Sequence, residues 1–359
     1  MKEEKIGENR ILKMLRMLAP GTMLNEGLEN VLRARTGALI VVGDPEAVMK
    51  IVDGGFKIDC EMHPSNLYEL AKMDGAIILS SDARRILYAN THLTPDPLIP
   101  SFETGTRHRT AERVAVQTDE LVIAISQRRN VITLYKGKDK YIMRDIGVVL
   151  AKANQALQTL EKYKSVLERA LINLTAMEFE DLATAFDVAT VIQRSQMVAR
   201  IATEIERHIC ELGVEGRLVN MQLEELMVDI EDEGLLVIRD YLGTGGEEDP
   251  EEVWDELATW TSEDLLDLTM VSRALGHGSS MNTLDLSVKP KGYRILAKIP
   301  RLPMPVIENL VGKFGNLPKI LDASIDELDG VEGIGEVRAR AIKEGLRRLR
   351  EQTLLDRHL

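Results

Sequence analysis

No proline interrupts the chain between Pro100 and Pro250, and from Gly147 onward Leu150, Leu157, Leu160, Leu167 and Leu171 recur at helical spacing. A helix interior tolerates proline less than any other residue, so this stretch is built for long helices. It separates an N-terminal from a C-terminal part of the 359 residues, within the roughly two or three domains that such a length allows. The expected organisation is multidomain α/β plus α: a mixed-sheet α/β domain over 1–146, a helical-bundle spacer over 147–286 and an all-α domain over 287–359. The segment 243–250 reads as an acidic, glycine-containing loop of the spacer.

Before the spacer the pattern alternates. Ile11 to Leu18 and Leu24 to Leu32 have helical periodicity, and the run 37–42 reads as a buried strand. Asp44 is expected to cap a short helix that opens at Pro45 and ends at Gly54-Gly55. Further strands are expected at 76–79, 86–89, 121–125, 131–135 and 141–144. The longest apolar runs, such as Ala38 to Val42, fall far short of the ~20 residues that span a bilayer, and MKEEKIGENR lacks the apolar core of a signal peptide. A cytoplasmic protein without membrane segments is expected. Cys60 and Cys210 are isolated, and His63, His92, His208 and His277 show no metal-ligand spacing, which argues against a zinc site or a disulfide framework.

The net charge of −13 argues against nucleic acid as a partner, but the charge is unevenly spread. Met221 to Asp267 carries seventeen acids against one arginine, whereas Ser287 to Leu359 carries fourteen Lys and Arg against ten acids. Such asymmetry points to different partners for different parts of a chain.

Two tracts of the N-terminal domain carry chemistry. Asp74-Gly75-Ala76 stands where polar sequence gives way to an apolar strand. Its carboxylate can hold a divalent cation and its glycine leaves room for a ligand against the main chain, or the pair is a turn feeding the strand. Gly105-Thr106-Arg107-His108-Arg109-Thr110 places clustered cations at a helix start, where the helix dipole and arginine's planar fork both favour phosphate; the alternative is a solvated cationic turn answered by Glu103 or Glu112. Arg128 and Arg129 join two expected strands and add cations at the same sheet edge, or form an exposed hairpin turn. Neither the P-loop nor the protein-kinase signatures occur.

In the C-terminal region, 328–342 (LDGVEGIGEVRARAI) resembles a helix–hairpin–helix motif, preceded by a related unit around Ile299-Pro300-Arg301-Leu302-Pro303. The glycines Gly333 and Gly335 allow a tight hairpin whose amides face a DNA phosphate, and Arg338 and Arg340 begin a basic tail; the alternative is a plain inter-helix turn. In the first unit Pro303 stands where the second glycine would be and removes a donor, so that unit is expected mainly to pack against the second.

Asp74-Gly75-Ala76 followed by the 105–113 tract resembles the two signatures of the diadenylate cyclase family. The order of cyclase domain, helical spacer and tandem helix–hairpin–helix is similar to that of the family's DNA-scanning members over essentially the full length. The resemblance implies condensation of two ATP into cyclic di-AMP with release of two pyrophosphates, across two cyclase domains that face each other in a homo-octamer. It implies that Asp74 binds Mg²⁺ or Mn²⁺ and helps activate the attacking hydroxyl, and that Arg107, His108 and Arg109 bind phosphates. It further implies that Gly75, Leu93, Thr106 and Thr110 contact the nucleotide, with Arg128 and Arg129 as auxiliary cations. DNA, branched and bound through its backbone, would restrain synthesis. The competing readings are a non-enzymatic, nucleotide-sensing DNA-binding scaffold and a nuclease.

Overall fold

A computed structural model of the chain describes residues 2–43, 45–228, 230, 232–243, 249–278 and 281–356. Asp44, the expected cap, and 244–248 of the expected acidic loop lie outside the described residues. The chain folds as two compact units, one of Met1–Gln155 with Ile205–Met221 and the other of Ala156–Glu204 with Gln222–Leu359.

The first unit is a layered α/β structure. Its elements in order are α1 (Lys2–Leu18), α2 (Met23–Arg33), β1 (Ala38–Val42), α3 (Pro45–Val48), β2 (Val52–Asp53), β3 (Phe56–Glu61), α4 (Pro64–Leu70), β4 (Ala76–Leu79), β5 (Arg85–Leu93), α5 (Thr106–Thr118), β6 (Leu121–Ser126), β7 (Val131–Lys136) and β8 (Asp139–Ile142). The strands form one mixed sheet in the order β2-β5-β4-β1-β6-β7-β8, with β3 also on β5; β1 and β4 are parallel and every other pair is antiparallel. Continuous apolar runs make β1 and β4 buried on both faces, as central strands require. One face packs against α1, α2 and α4 through Leu15, Leu28, Leu67, Ile40 and Leu134, and the other against α5 through Val41, Ile78, Ala111, Val114 and Tyr135.

Three sequence expectations change here, the smallest being the last strand, expected at 141–144 and found at Asp139–Ile142. The helix opened by Pro45 does not reach Gly54: it passes through a 3₁₀ turn at Met49–Ile51 into β2, and Gly54 and Gly55, both at positive φ, turn the chain into β3. β3 and α4 are not among the expected elements; in β3 the alternation of Phe56, Ile58 and Cys60 with Lys57, Asp59 and Glu61 is short and lies at a sheet edge, where Phe56 is exposed and Ile58 and Cys60 are only partly buried. The strand expected at 86–89 extends to Leu93, bulged around Asn90.

The remaining elements are helical, the longest of them, α6 and α7, within the proline-free stretch. They are α6 (Ile146–Glu180), α7 (Ala185–Leu212), α8 (Arg217–Met227), α9 (Glu233–Tyr241), α10 (Pro250–Thr259), α11 (Ser262–Leu266), α12 (Leu268–Ala274), α13 (Met281–Leu284), α14 (Tyr293–Ala297), α15 (Met304–Phe314), α16 (Leu317–Asp322), α17 (Ile325–Asp329) and α18 (Glu336–Asp356). α14 to α18 share one apolar core, with Ile295, Leu310, Ile320, Leu328 and Ile342 at its centre.

Within the second unit α14 is held by charge as well as packing. Arg294 is fully buried and its guanidinium bonds Glu178 and Thr175 of α6 and Glu233 of α9. Asp240 of α9 accepts the amide hydrogens of Gly292, Tyr293 and Arg294 at 2.7, 2.6 and 3.1 Å, capping the helix from outside its own sequence. Burial, then the neighbouring Glu178 charge, pushes the Asp240 carboxyl up to about 7 against those bonds.

Candidate nucleotide site and nucleic-acid interface

Strand register gathers the expected nucleotide residues at one end of the sheet. β1 and β4 start together, with Ile40 opposite Ile77; β5 finishes there, with Thr91 opposite Ala76; β6 finishes beside the start of β1, with Ala38 opposite Ile125. Asp74 and Gly75, Leu93, and the turn carrying Arg128 and Arg129 therefore share an end, β4 and β6 being about 10 Å apart at two inter-strand spacings. α5 supplies the rest: Arg107 donates from Nη1 to the Ile125 carbonyl at 3.4 Å and lies over Gly37. Gly37 has φ +71, and a Cβ there would stand 2.5 Å from that Nη1, so the missing side chain is what lets Arg107 lie down.

Asp74 is exposed, and among the described residues nothing bonds its carboxylate. Gly75 is required by the fold: φ is +93, and a Cβ would come within 2.8 Å of the Thr91 carbonyl oxygen and 2.9 Å of the Asn90 carbonyl carbon. The space beside it is filled by β5 main chain instead of being left for a ligand, which corrects the expectation drawn from the residue type. The Leu93 side chain is likewise core, packed with Val48, Ile51 and Ala76, and does not line an open face.

α5 begins with Gly105 as N-cap, no side-chain cap and no acid in its first turn. Thr106, Arg107 and Arg109 are exposed there, with His108 and Thr110 half-buried. The preceding loop runs back along the helix: Asp96 N–H donates to Gln117 Oε1 at 2.9 Å, Arg113 Nε to the Ile99 carbonyl at 2.9 Å, Phe102 N–H to Glu112 at 3.2 Å, and Arg109 Nε to the Glu103 carbonyl at 3.3 Å. These bonds fix the loop that delivers Glu103.

Glu103, Tyr135 and His108 form a chain that the sequence did not reveal. The Tyr135 hydroxyl donates to Glu103 Oε1 at 2.8 Å, Lys140 pairs with the same carboxylate, and His108 Nδ1 lies 3.0 Å from the Tyr135 oxygen. Burial opposes ionisation of Glu103, but Lys140 and Tyr135 outweigh it and hold the carboxyl below its usual range. With the phenol proton committed to Glu103, the network assigns the imidazole proton to Nδ1. Nε2 is then a buried acceptor without a hydrogen-bond partner. Burial holds the His108 pKa below its ordinary value; Glu103 works against this, while Arg129, Lys140 and Arg107 reinforce it. Arg129 thus stands within electrostatic reach of the site. Arg128 is exposed in the same turn.

In the second unit α14 and α15 repeat as α17 and α18, each helix start recurring thirty-two residues later. Leu302 N–H donates to the Ile299 carbonyl as Ile334 N–H does to Val331, and Arg301 at φ +65 occupies the place of Gly333 at φ +81. Gly333 is required by its backbone. Gly335 is not, since its φ is unexceptional and a Cβ would meet nothing nearer than 4.0 Å; its bareness leaves the start of α18 open. Arg338 folds back onto the Gly333 carbonyl and Arg340 pairs with Glu336, so two of the cations expected to meet DNA are engaged within the hairpin and its helix. The first hairpin repeat packs against the second as expected: Asn309 Nδ2 donates to the Glu332 carbonyl at 3.1 Å, and Val306 lies against Gly333.

A helix start dressed for phosphate at the edge of a mixed sheet, followed by long helices and paired hairpins, defines a nucleotide-binding enzyme joined to a DNA-binding module. Family comparison agrees in each part. Residues 25–140 match the nucleotide-binding domain of the DisA bacterial checkpoint controller, 143–284 its linker region, and 317–345 the helix–hairpin–helix motif. The chain is 62% identical over 346 residues to DNA integrity scanning protein DisA of Carboxydothermus hydrogenoformans, covering 96% of this chain and 98% of that one. It is 62% identical over 347 residues to the Symbiobacterium thermophilum protein of the same name, covering 97% and 98%. A crystal structure of DacA from Staphylococcus aureus overlaps 40% of this chain and 91% of its own at TM-score 0.27 and 19% identity. The chain belongs to the DisA family of DNA integrity scanning proteins and is a diadenylate cyclase. No helix among the described residues is long and apolar enough to cross a membrane.

Proposed function

We propose that each cyclase domain holds one ATP and that two such domains, facing each other within a homo-octamer, convert the pair into cyclic di-AMP. Each 3′-oxygen forms a bond to the partner nucleotide's α-phosphorus, each α-phosphorus loses its bond to pyrophosphate, and each hydroxyl gives up its proton to solvent water. The observation that carries this reading is the start of α5: an uncapped helix N-terminus, free of acids, with Arg107, His108 and Arg109 in its first turn. Thr106, Thr110 and Arg129 border it, and Arg128 adds charge at the rim. Leu98 and Phe102, 87% and 94% exposed in the adjoining loop, give a facing copy apolar surface to cover.

No group of three or more metal-binding side chains occurs among the described residues. The exposed, unpartnered carboxylate of Asp74 fits Mg²⁺ or Mn²⁺, hard cations for which one or two carboxylates suffice when phosphates and water complete the shell. Such an ion supplies charge neutralisation and lowers the energy of the hydroxyl's ionised form. Arg107 and Arg109 bind the β- and γ-phosphates and neutralise the charge that grows on departing pyrophosphate, the largest demand of phosphoryl transfer. His108 accepts a proton at Nε2 when the polyphosphate arrives, its imidazolium supported through Tyr135 by Glu103. DNA bound at the C-terminal hairpins, branched DNA in particular, restrains synthesis, and the protein acts in the cytoplasm.

The test is to incubate pure protein with ATP and Mn²⁺ and to look for cyclic di-AMP by mass spectrometry. Product from wild type and its loss in Asp74→Asn is the expected result; equal product from both overturns the role of Asp74. Activity per subunit that stayed constant on dilution to monomers would rule out the face-to-face site. DNA that bound without changing turnover would rule out the regulation.

A further inference from the structure

The repeat contains an anomaly that its packing does not explain. Arg301 sits in the left-handed backbone region at φ +65, the conformation that its counterpart Gly333 adopts without penalty and that an arginine adopts only under strain. Two residues on, Pro303 replaces Gly335 and is the N-cap of α15, with Pro305 in the first turn, so two of the amides that α18 offers are missing from α15. A hairpin of this kind could be a plain spacer. The Arg301 side chain argues otherwise, because it is exposed and no acidic group among the described residues pairs with it, a condition it shares with Arg350 but not with Arg338, Arg340, Arg347 and Arg348, which all have partners.

The tip of the second hairpin also packs on the helix that follows the first. A Cβ on Gly333 would stand 3.3 Å from Val306 Cγ2, and Val306 lies in the first turn of α15, the turn that the first hairpin feeds. Gly333 at the second tip therefore packs on the helix that the first hairpin opens.

We propose that Arg301 is a DNA-phosphate contact, its guanidinium doing at the first hairpin what main-chain amides do at the second. The pair is then a mixed clamp on neighbouring backbone phosphates, one jaw of amides and one of a side chain. The side chain is exposed at that tip, on a backbone held at positive φ. The proposal rests on reading the second hairpin as a DNA-backbone contact.

The test uses full-length protein and a fluorescein-labelled four-way DNA junction, followed by fluorescence anisotropy across a salt series, with thermal melts of the same samples. Arg301→Gly should relieve the strain and raise the melting temperature by about 2–4 °C. The same variant should bind about tenfold more weakly, with the salt slope reduced by about one. Arg301→Lys should keep the slope. A substitution that stabilises the fold while weakening binding cannot be explained by damage to the domain. Arg301→Gly that bound like wild type with an unchanged slope, while Gly335→Val lost binding, would overturn the proposal alone. Wild type that failed to bind would overturn the proposal and the reading beneath it.

Discussion

The starts of α5 and α18 are built alike and used differently. Each helix begins after a glycine, Gly105 or Gly335, whose carbonyl accepts the first helical bond at 2.9 Å, from Arg109 and Ala339 respectively, and neither glycine brings a capping side chain. α5 then places arginines in a first turn free of acids, with Arg107 held by carbonyl oxygen alone. α18 opens on Glu336, and four of its five arginines, Arg338, Arg340, Arg347 and Arg348, are answered by that glutamate, by Glu344 and Glu351, or by the Gly333 carbonyl. An unanswered cluster suits a compact, highly charged polyphosphate. A self-neutralised one suits a long polyanion that must be released, bound by shape and a few amides.

Several substitutions would break or sharpen this contrast. Arg107→Ala should have the largest effect, a loss of about a hundredfold in kcat/KM for ATP with DNA affinity unchanged. Gly37→Ala should reproduce part of it without touching the substrate: the new Cβ displaces the Arg107 guanidinium, and a loss of about tenfold in kcat/KM accompanies about 1 kcal/mol of instability in thermal melts. Tyr135→Phe should move a pH profile more than a rate. Because burial holds the His108 pKa below its usual value, the imidazole gains its charge as pH falls, so kcat/KM should rise from pH 8 toward 6. Cutting the link to Glu103 should push that rise to lower pH, and a profile that did not move would remove His108 protonation from the mechanism. The smallest effect belongs to α18: Glu336→Gln frees Arg340 and should tighten DNA binding by about threefold at low salt, with cyclase activity untouched in the absence of DNA.

The sequence made the mixed sheet, the long helices and both glycine-marked helix starts legible, because apolar period and turn chemistry are local signals. What it hid was set by tertiary structure. Phe56 to Glu61 alternates apolar and polar, but over one short run at a sheet edge, where Ile58 and Cys60 are only partly buried. Glu103 and Tyr135 meet only because the loop folds back on α5, and nothing at either residue marks the other. Gly75 looked like an opening and is a fit against β5. Arg301 broke the glycine pattern in sequence, yet its backbone keeps to it.

Arg294 and Asp240 carry a lesson for anyone who would dissect the protein. α17 brings its own cap, Ser324 with Glu327, while its counterpart α14 borrows Asp240 from α9 and anchors Arg294 on α6. A fragment beginning at residue 287 would carry a bare helix start and a guanidinium stripped of Glu178 and Glu233. The hairpin pair has therefore lost its autonomy: the natural place to cut lies upstream of the helices that complete it, and grafting the pair elsewhere would mean transplanting their carboxylates too.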